Sequence, residues 1–308
     1  MKLKDLLKQY IHNHPCELSG YTVQTYYWHI NRFERFLGCP AYSEQHLRTE
    51  LIDACLLWCR DRNLSTATLR GTRQVLQTLW IYAYEEGITQ RTPRVKKLRQ
   101  RSVGVPCAWT PEEVAALADA CYDITGYFET TGLARGPYMR SLVLGMYSTA
   151  LRLGDALSIP STAVAPNGSF SIICSKTQRP IARQFSPEAL DALEESNYED
   201  RAILWPLWGR REALYRLFRV AVRHAKIRPG TSKWLRRAAL THVAEKGGYE
   251  AAQQFADHRQ IQTTRQHYVD PTQITPRWEM PSLSRWLAEP PTRSRGRSNP
   301  DKNDGQRE

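Results

Sequence analysis

The stretch from Thr231 to Tyr268 constrains the fold most, because it joins a helical apolar pattern to a high density of cations. Apolar residues recur at helical spacing in its first half, and the Gly247-Gly248 pair predicts where that helix ends. Arg236 and Arg237 are neighbours that point about 100° apart, so only one can face inward with the apolar residues. A guanidinium keeps its charge when it is buried and needs an anion. No acidic residue nearby is an obvious partner, which makes a phosphate a candidate.

The composition predicts a two-domain globular chain with a polyanionic partner. The chain has 308 residues, 41% of them hydrophobic, which is enough for two cores. Lysine and arginine number 43 against 31 acidic residues, but the net charge of +12 does not by itself separate DNA from RNA or an anionic membrane. No apolar run has the length of a membrane span. The seven cysteines are scattered, so we expect reduced thiols and no metal site.

The first 90 residues predict only helices. Apolar residues recur at helical spacing from Leu3 to Ile11 and from Val23 to Leu37, and Ser19 and Ser65 are predicted helix caps. Arginines lie on the polar faces of these helices, either as solvated side chains or as contacts to DNA. The candidates for DNA contact are Arg32, Arg70 and Arg73.

Residues 91–106 predict a basic linker. Six basic residues and no acidic residue lie between Arg91 and Arg101, and a proline interrupts helical structure at either side. A basic run is often only a solvated, mobile segment. Between two DNA-binding domains it would instead follow phosphates. The candidate contacts are Arg94, Lys96, Lys97 and Arg99.

Residues 107–288 predict a second domain that begins with a helix capped by Thr110. A further helix is predicted from about Pro137 to Thr149. Arg152 then lies three residues before Asp155, so on a helix the carboxylate could hold the guanidinium in one orientation. In isolation this pair would be read as an ordinary helical ion pair.

Alternation between Ser169 and Gln184 predicts a β-hairpin, with Lys176 at its turn. Further along, Arg216 and Arg219 lie on an arginine-rich helix that fits a groove or the backbone of DNA. Residues 289–308 are rich in proline, arginine, serine and asparagine, and their composition predicts a disordered tail.

Three motifs resemble those of the tyrosine recombinases, the phage integrase family. The run from Lys233 to Arg237 is similar to the family's His-x-x-Arg box. The turn at His258, followed by a Thr-Thr pair and Tyr268, resembles the closing motif that carries the nucleophilic tyrosine. The run from Thr149 to Leu157 resembles the first arginine box. The chain departs from the family at Lys233, where histidine is usual.

The resemblance implies a mainly α fold of the simple two-domain type. An N-terminal helical core-binding domain, SAM-like, would span residues 1–90, and a C-terminal mixed α/β catalytic domain with a small β-sheet would span residues 107–288. The implied activity is site-specific DNA recombination through a 3′-phosphotyrosyl intermediate, without a cofactor or a metal. The implied partner is double-stranded DNA with a short inverted-repeat core site, bound by homodimers that assemble into a tetramer. Such a protein is expected in the cytoplasm, associated with the nucleoid.

The resemblance also assigns roles to residues. The catalytic set it implies is Arg152, Lys176, Lys233, Arg236, His258 and Tyr268, with Asp155 orienting the first arginine. The two arginines would hold the phosphate, His258 would donate to it, and Lys176 would protonate the departing 5′ oxygen. The implied DNA contacts are Arg32, Arg70, Arg73, Arg94, Lys96, Lys97, Arg99, Arg216, Arg219 and Arg237.

Two other functions compete with this interpretation. A recombinase-derived protein could bind DNA without cleaving it, and Lys233 keeps that alternative open. A type IB topoisomerase would share the chemistry but relax DNA without joining two duplexes. Covalent capture of DNA separates the first alternative, and strand exchange between duplexes separates the second.

Overall fold

The computed structural model describes residues 1–95, 98, 105–129, 131–206 and 211–274. Three predicted DNA contacts (Lys96, Lys97 and Arg99) and the predicted tail at 289–308 lie outside these ranges. The chain divides into two compact units, Met1–Val103 and Gly104–Glu308. The finer predicted limits of the domains and of the linker stay predictions.

The first unit is built from helices, as its sequence predicts. These are α1 (Leu3–Asn13), α2 (Gly20–Leu37), α3 (Ser43–His46), α4 (Thr49–Asp61) and α5 (Thr66–Glu85). The hydroxyls of Ser19 and Ser65 accept hydrogen bonds from the backbone N–H groups of Thr22 and Thr68, both at 3.2 Å, which explains where α2 and α5 begin. The helices surround one core whose largest fully buried side chains include Trp80, Phe33 and Leu3.

The packing of α2 against α5 positions Arg32, one of the predicted DNA contacts. His29 is buried, and its Nδ1 lies 2.9 Å from the hydroxyl of Thr72. A side chain at Gly71 would collide with the imidazole ring of His29, so the two helices come close at this glycine. Arg32 reaches both partners, at 2.8 Å from the Nδ1 of His29 and 3.3 Å from the hydroxyl of Thr72. The guanidinium of Arg32 is therefore held on this unit before any ligand binds.

The second unit is mainly helical and contains the small sheet. Its elements are α6 (Pro111–Ala120), α7 (Arg135–Thr149), α8 (Leu153–Ala156), β1 (Ser169–Ile173), β2 (Pro180–Gln184), α9 (Pro187–Glu195), α10 (Arg211–His224), α11 (Ser232–Ala256) and α12 (Ile261–His267). In the part of the chain with described structure, no helix is long and apolar enough to cross a membrane. The predicted fold class is confirmed.

The sequence signals of the second unit act where they were expected. Thr110 and Glu113 form a capping box at the start of α6, because each side chain binds the other's backbone N–H. The strands β1 and β2 pair in antiparallel fashion with Phe170 opposite Arg183. Helix α7 packs against α6, α9 and α11 at the centre of this unit. Trp109 and Trp205, both fully buried, belong to the core around it.

The predicted end of the helix at Gly247-Gly248 is a break within a longer helical segment. Gly248 has φ +85° and ψ 174°, so the helical conformation stops there, but helical structure resumes and continues to Ala256. A positive φ of this kind is open to glycine at little cost. The sequence pattern identified the break, but it did not predict the second helical part, which leads to the turn at His258.

We predict that Gly145→Ala destabilises the second unit. A Cβ at this position would lie 2.5 Å from the buried indole of Trp205. Alanine gains about 1 kcal/mol in helix propensity, but overpacking a core costs about 1–3 kcal/mol, so we expect a net loss of up to about 2 kcal/mol. The measurement is denaturant unfolding, with Gly20→Ala as the control because its Cβ would meet no atom within 4 Å. Equal stability of the two variants would contradict the close packing of α7 on Trp205.

Candidate active site

A cleft in the second unit collects side chains from four separate parts of the chain. Arg152 comes from the segment before α8, Lys176 from the hairpin turn, Lys233 and Arg236 from α11, and Tyr268 from the end of α12. All predicted catalytic residues except His258 line the cleft. His258 contacts two of the lining residues, Arg236 and Tyr268. No acidic residue lines the cleft in the described part of the chain. The site is therefore strongly cationic.

Arg152 is placed differently from the sequence prediction. It precedes the short helix α8 as its N-cap residue, and its Nη1 is 3.7 Å from the Oδ2 of Asp155. The same Nη1 donates to the Sγ of Cys174 at 3.4 Å. Asp155 is 1% exposed, and its Oδ1 accepts from both the backbone N–H and the hydroxyl of Ser175, at 3.0 and 2.6 Å. The shortest hydrogen bonds of Asp155 therefore hold the hairpin turn at Ser175. The ion pair between Asp155 and Arg152 is longer than both of these bonds.

This arrangement connects two predicted catalytic residues through the hairpin. Ser175 is the residue immediately before Lys176, so Asp155 holds the backbone that carries the lysine as well as the neighbouring arginine. The side chain of Lys176 is exposed at the turn and lines the cleft. Sequence reasoning missed the contribution of Cys174 and Ser175. Only their position between a strand and the turn lysine could have indicated it.

Arg236 is the inward-facing member of the arginine pair, and it is 5% exposed. It donates to the carbonyl oxygens of Ala150 and Ala256, the latter at 2.9 Å. Burial, and after it the charge of Arg152, lower the pKa of Arg236 to about 10, so it stays protonated at neutral pH. Its Nε is buried and has no hydrogen-bond partner among the described residues. The predicted need for an anion is met only in part, by the partial negative charge of carbonyl groups.

Arg237 points away from the buried side of α11 that Arg236 faces, because neighbouring residues of a helix point about 100° apart. It is half-buried, and its Nε donates to the backbone carbonyl of His267 at 3.1 Å. Its side chain also lines the cleft. Arg237 therefore connects α11 to the end of α12, next to Tyr268.

His258 is buried between Arg236 and Thr264. Its Nε2 lies 3.2 Å from the Nη2 of Arg236, and its Nδ1 lies 2.9 Å from the hydroxyl of Thr264. A guanidinium can only donate, so Nε2 accepts and the proton of the neutral ring is on Nδ1. Burial, and after it the charges of Arg236 and Arg152, lower the pKa of His258 to about 4. If His258 donates to a phosphate from Nε2, that ring nitrogen must first gain a proton.

Tyr268 lies at the centre of this group. Its ring centroid is 4.6 Å from that of His258 and 5.2 Å from the guanidinium carbon of Arg236. Its backbone N–H donates to the carbonyl of Thr264 at 3.1 Å. The phenol is half-buried and lines the cleft together with the cations. The tyrosine is thus held by ring contacts on one side and open to the cleft on the other.

The remaining predicted DNA contacts lie elsewhere. Arg216 and Arg219 are exposed on α10, and Arg219 lines a second cleft together with Lys233. On the first unit, Arg73 donates to the carbonyl of Val95 at 2.9 Å, and Arg32 is held as described above. Arg70 is half-buried and Arg94 is exposed. Arg211, at the start of α10, also lines the main cleft and was not predicted. Its place at the start of an arginine-rich helix was the available signal.

Within the described ranges, no group of three or more histidine, cysteine, aspartate or glutamate side chains could hold a metal ion.

Comparison with known proteins identifies both units. The sequence profile of the Phage integrase family matches residues 109–273, and that of the phage integrase N-terminal SAM-like domain matches residues 7–87. No curated protein matches the chain by sequence.

Solved structures share the fold at low identity. Lambda integrase (residues 75–356), as a dimer bound to a COC′ core site, has a TM-score of 0.68 and 19% identity over 91% of this chain and 100% of that chain. Lambda integrase as a tetramer bound to a Holliday junction has a TM-score of 0.65 and 20% identity, covering 84% and 75%. XerH recombinase in a post-cleavage complex with palindromic difH has a TM-score of 0.62 and 18% identity, covering 85% and 79%.

We predict that His258 makes the stability of the second unit depend on pH. Its pKa is about 4 in the folded protein and close to the ordinary 6.5 once the chain unfolds, so the unfolded chain binds the proton first. This contribution to stability is complete above pH 6.5 and is lost as the pH falls towards 4. Denaturant unfolding across this range should therefore show a shallower pH dependence in His258→Gln than in the wild type. The same dependence in both proteins would contradict the buried, neutral imidazole.

Proposed function

The chain belongs to the phage integrase family, and from this premise we propose that it is a site-specific tyrosine recombinase. It would cleave and rejoin DNA through a 3′-phosphotyrosyl intermediate. The observation that carries the proposal is the position of Tyr268 beside Arg236, in a cleft with no acidic residue among its described lining. Such a cleft suits a phosphodiester, which is an anion that gains charge as it is attacked.

The roles follow from what each group can do. The phenol of Tyr268 loses its proton to solvent and its oxygen attacks phosphorus. A tyrosine O–P bond forms, and the bond from phosphorus to the 5′ oxygen breaks. Arg152 and Arg236 hold the non-bridging oxygens in fork geometry. Loss of one comparable donor elsewhere costs about 3–4 kcal/mol of transition-state stabilisation. A second attack by a 5′ hydroxyl reverses the step on another strand, so the bond energy is kept and no nucleotide cofactor is needed.

The leaving oxygen needs a proton, and the lysines are better donors than the arginines. A guanidinium holds its proton too tightly to give it up, whereas an ammonium can donate. Lys176 stands at the hairpin turn whose backbone Asp155 holds, so we assign it as the acid. Lys233, in the first turn of α11, lines the same cleft and is assigned as a phosphate contact.

DNA binding by both domains accompanies the chemistry. The net charge of +12 and the exposed arginines of α10 favour a polyanion. Lambda integrase forms a dimer on a core site and a tetramer on a Holliday junction in the solved structures. We propose the same partners for this chain: double-stranded DNA with a short inverted-repeat core site, bound by dimers that assemble into a tetramer. A recombinase of this kind would act in the cytoplasm, on the nucleoid.

We predict that Tyr268→Phe retains DNA binding and forms no covalent protein–DNA adduct, because the variant keeps the ring contacts and loses the nucleophilic oxygen. The measurement is denaturing electrophoresis after incubation with a nicked, labelled duplex. Tyr249→Phe is the matched control, since this half-buried tyrosine also packs under an arginine, with Arg265 at 4.8 Å, but does not line the cleft. An adduct that survives in Tyr268→Phe and disappears in Tyr249→Phe would overturn the assignment.

We predict that Lys176→Ala is rescued when sulfur replaces the bridging 5′ oxygen. A positioned proton donor speeds such a step by about 10²–10⁴-fold, and a thiolate leaves without needing the proton. Cleavage by Lys176→Ala should therefore be slow on normal DNA and recover on the sulfur-substituted strand.

Arg152→Ala is the control for this experiment, because it should stay slow on both strands. If Lys233→Ala is the variant that recovers and Lys176→Ala is not, the two lysines exchange roles. Independently of the lysine assignment, strand-exchange assays between two duplexes separate recombination from relaxation by a topoisomerase.

A further inference from the structure

Two helices of the second unit end side by side behind the cleft. Helix α7 ends at Thr149, followed by Ala150 with φ +52°, and α11 ends at Ala256, followed by Asp257 with φ +53°. Each segment then leads to a site residue: Arg152 lies three residues after the end of α7, and His258 lies two residues after the end of α11. The last carbonyl groups of a helix have no partner within it and carry partial negative charge. The two helix ends therefore place unsatisfied acceptors next to each other.

Two arginines bridge these helix ends in the same way. Arg236 donates to the carbonyls of Ala150 and Ala256. Arg183, from strand β2, donates to the carbonyls of the residues immediately before them: its Nε binds Thr149 at 3.2 Å, and its Nη2 binds Phe255. The bridges thus occupy adjacent peptide units on both helices.

The rest of the Arg183 guanidinium also has partners within the protein. Its Nη1 donates to the carbonyl of Ala182 at 2.6 Å, and its guanidinium lies 5.1 Å from the ring of Phe255. It is half-buried and does not line the cleft. Any effect of Arg183 on a bound phosphate must therefore pass through the residues that it holds.

We propose that Arg183 is a positioning residue that clamps the ends of α7 and α11 together and thereby orients the guanidinium of Arg236. The reason is geometric, since the carbonyls held by Arg183 and by Arg236 belong to consecutive residues. Without Arg183, Thr149 and Phe255 lose their donor, and the neighbouring carbonyls that align Arg236 are free to separate. The catalytic part of this inference rests on the proposed function, whereas the structural part does not.

The first measurement is hydrogen exchange of the full chain by mass spectrometry, which needs no activity. Arg183→Ala should speed exchange in peptides covering residues 149–152 and 255–258. Arg201→Ala is the matched control, because this half-buried arginine also donates to a backbone carbonyl, that of Leu204 at 2.8 Å, and does not line the cleft. Unchanged exchange at both helix ends in Arg183→Ala, or equal changes there in Arg201→Ala, would overturn the proposal.

The second measurement is the single-turnover rate of adduct formation on nicked DNA. A misplacement of about 1 Å can cost about 100-fold in rate, so we expect Arg183→Ala to lose about 10–100-fold with DNA affinity nearly unchanged. Arg183→Lys, which keeps the charge but has a single donor nitrogen, should recover part of the loss.

A double variant tests the route of the effect. In an Arg236→Lys background the clamp has no guanidinium fork to align, so Arg183→Ala should cost less than about 3-fold there. The same fold loss in both backgrounds, or a loss explained by weaker DNA binding, would overturn the role in orienting Arg236. If the wild type forms no adduct at all, the proposed function fails, and hydrogen exchange alone decides whether the clamp exists.

Discussion

The site depends on one interaction, the capture of the buried Arg236 guanidinium by carbonyls at the ends of two helices. A buried cation normally needs a carboxylate, because moving a charge out of water costs several kcal/mol unless it is paired. Here the partial charges of α7 and α11 replace the carboxylate. They hold the cation without neutralising it, and the guanidinium keeps a buried Nε without a described partner.

A site held in this way suits a ligand that brings negative charge. The cleft combines Arg152, Arg236 and two lysines with no acidic residue among its described lining. An acidic partner would satisfy the arginines in the free protein and would then compete with a phosphate. Asp155, a buried carboxylate beside Arg152, is mainly occupied by hydrogen bonds from Ser175. The protein thus supplies positioned donors before the transition state forms, which is the condition for electrostatic catalysis.

The small hairpin connects the two halves of the site. Its turn is fastened to Asp155 beside Arg152, and its second strand carries Arg183 to the helix ends that hold Arg236. On the other unit, Arg32 is likewise held before binding, by His29 and Thr72 at a helix contact where only glycine fits. In each unit, an arginine that the sequence marks as a candidate functional residue is held by uncharged partners: Arg32 in the first unit and Arg236 in the second.

The sequence by itself determined the helices and the breaks between them, because capping residues such as Ser19 and Thr110, apolar periodicity and glycines act over a few neighbouring residues. It also indicated the candidate catalytic residues, since their motifs are short and local. Tertiary structure alone decided what those residues contact. The partners of Arg236 lie 86 and 20 residues away, and they are backbone carbonyls, which any residue type can supply. In the sequence, Arg183 likewise looked like an ordinary strand residue. Its partners are 34 and 72 residues distant, and they are backbone carbonyls, so no side-chain type indicates the contact.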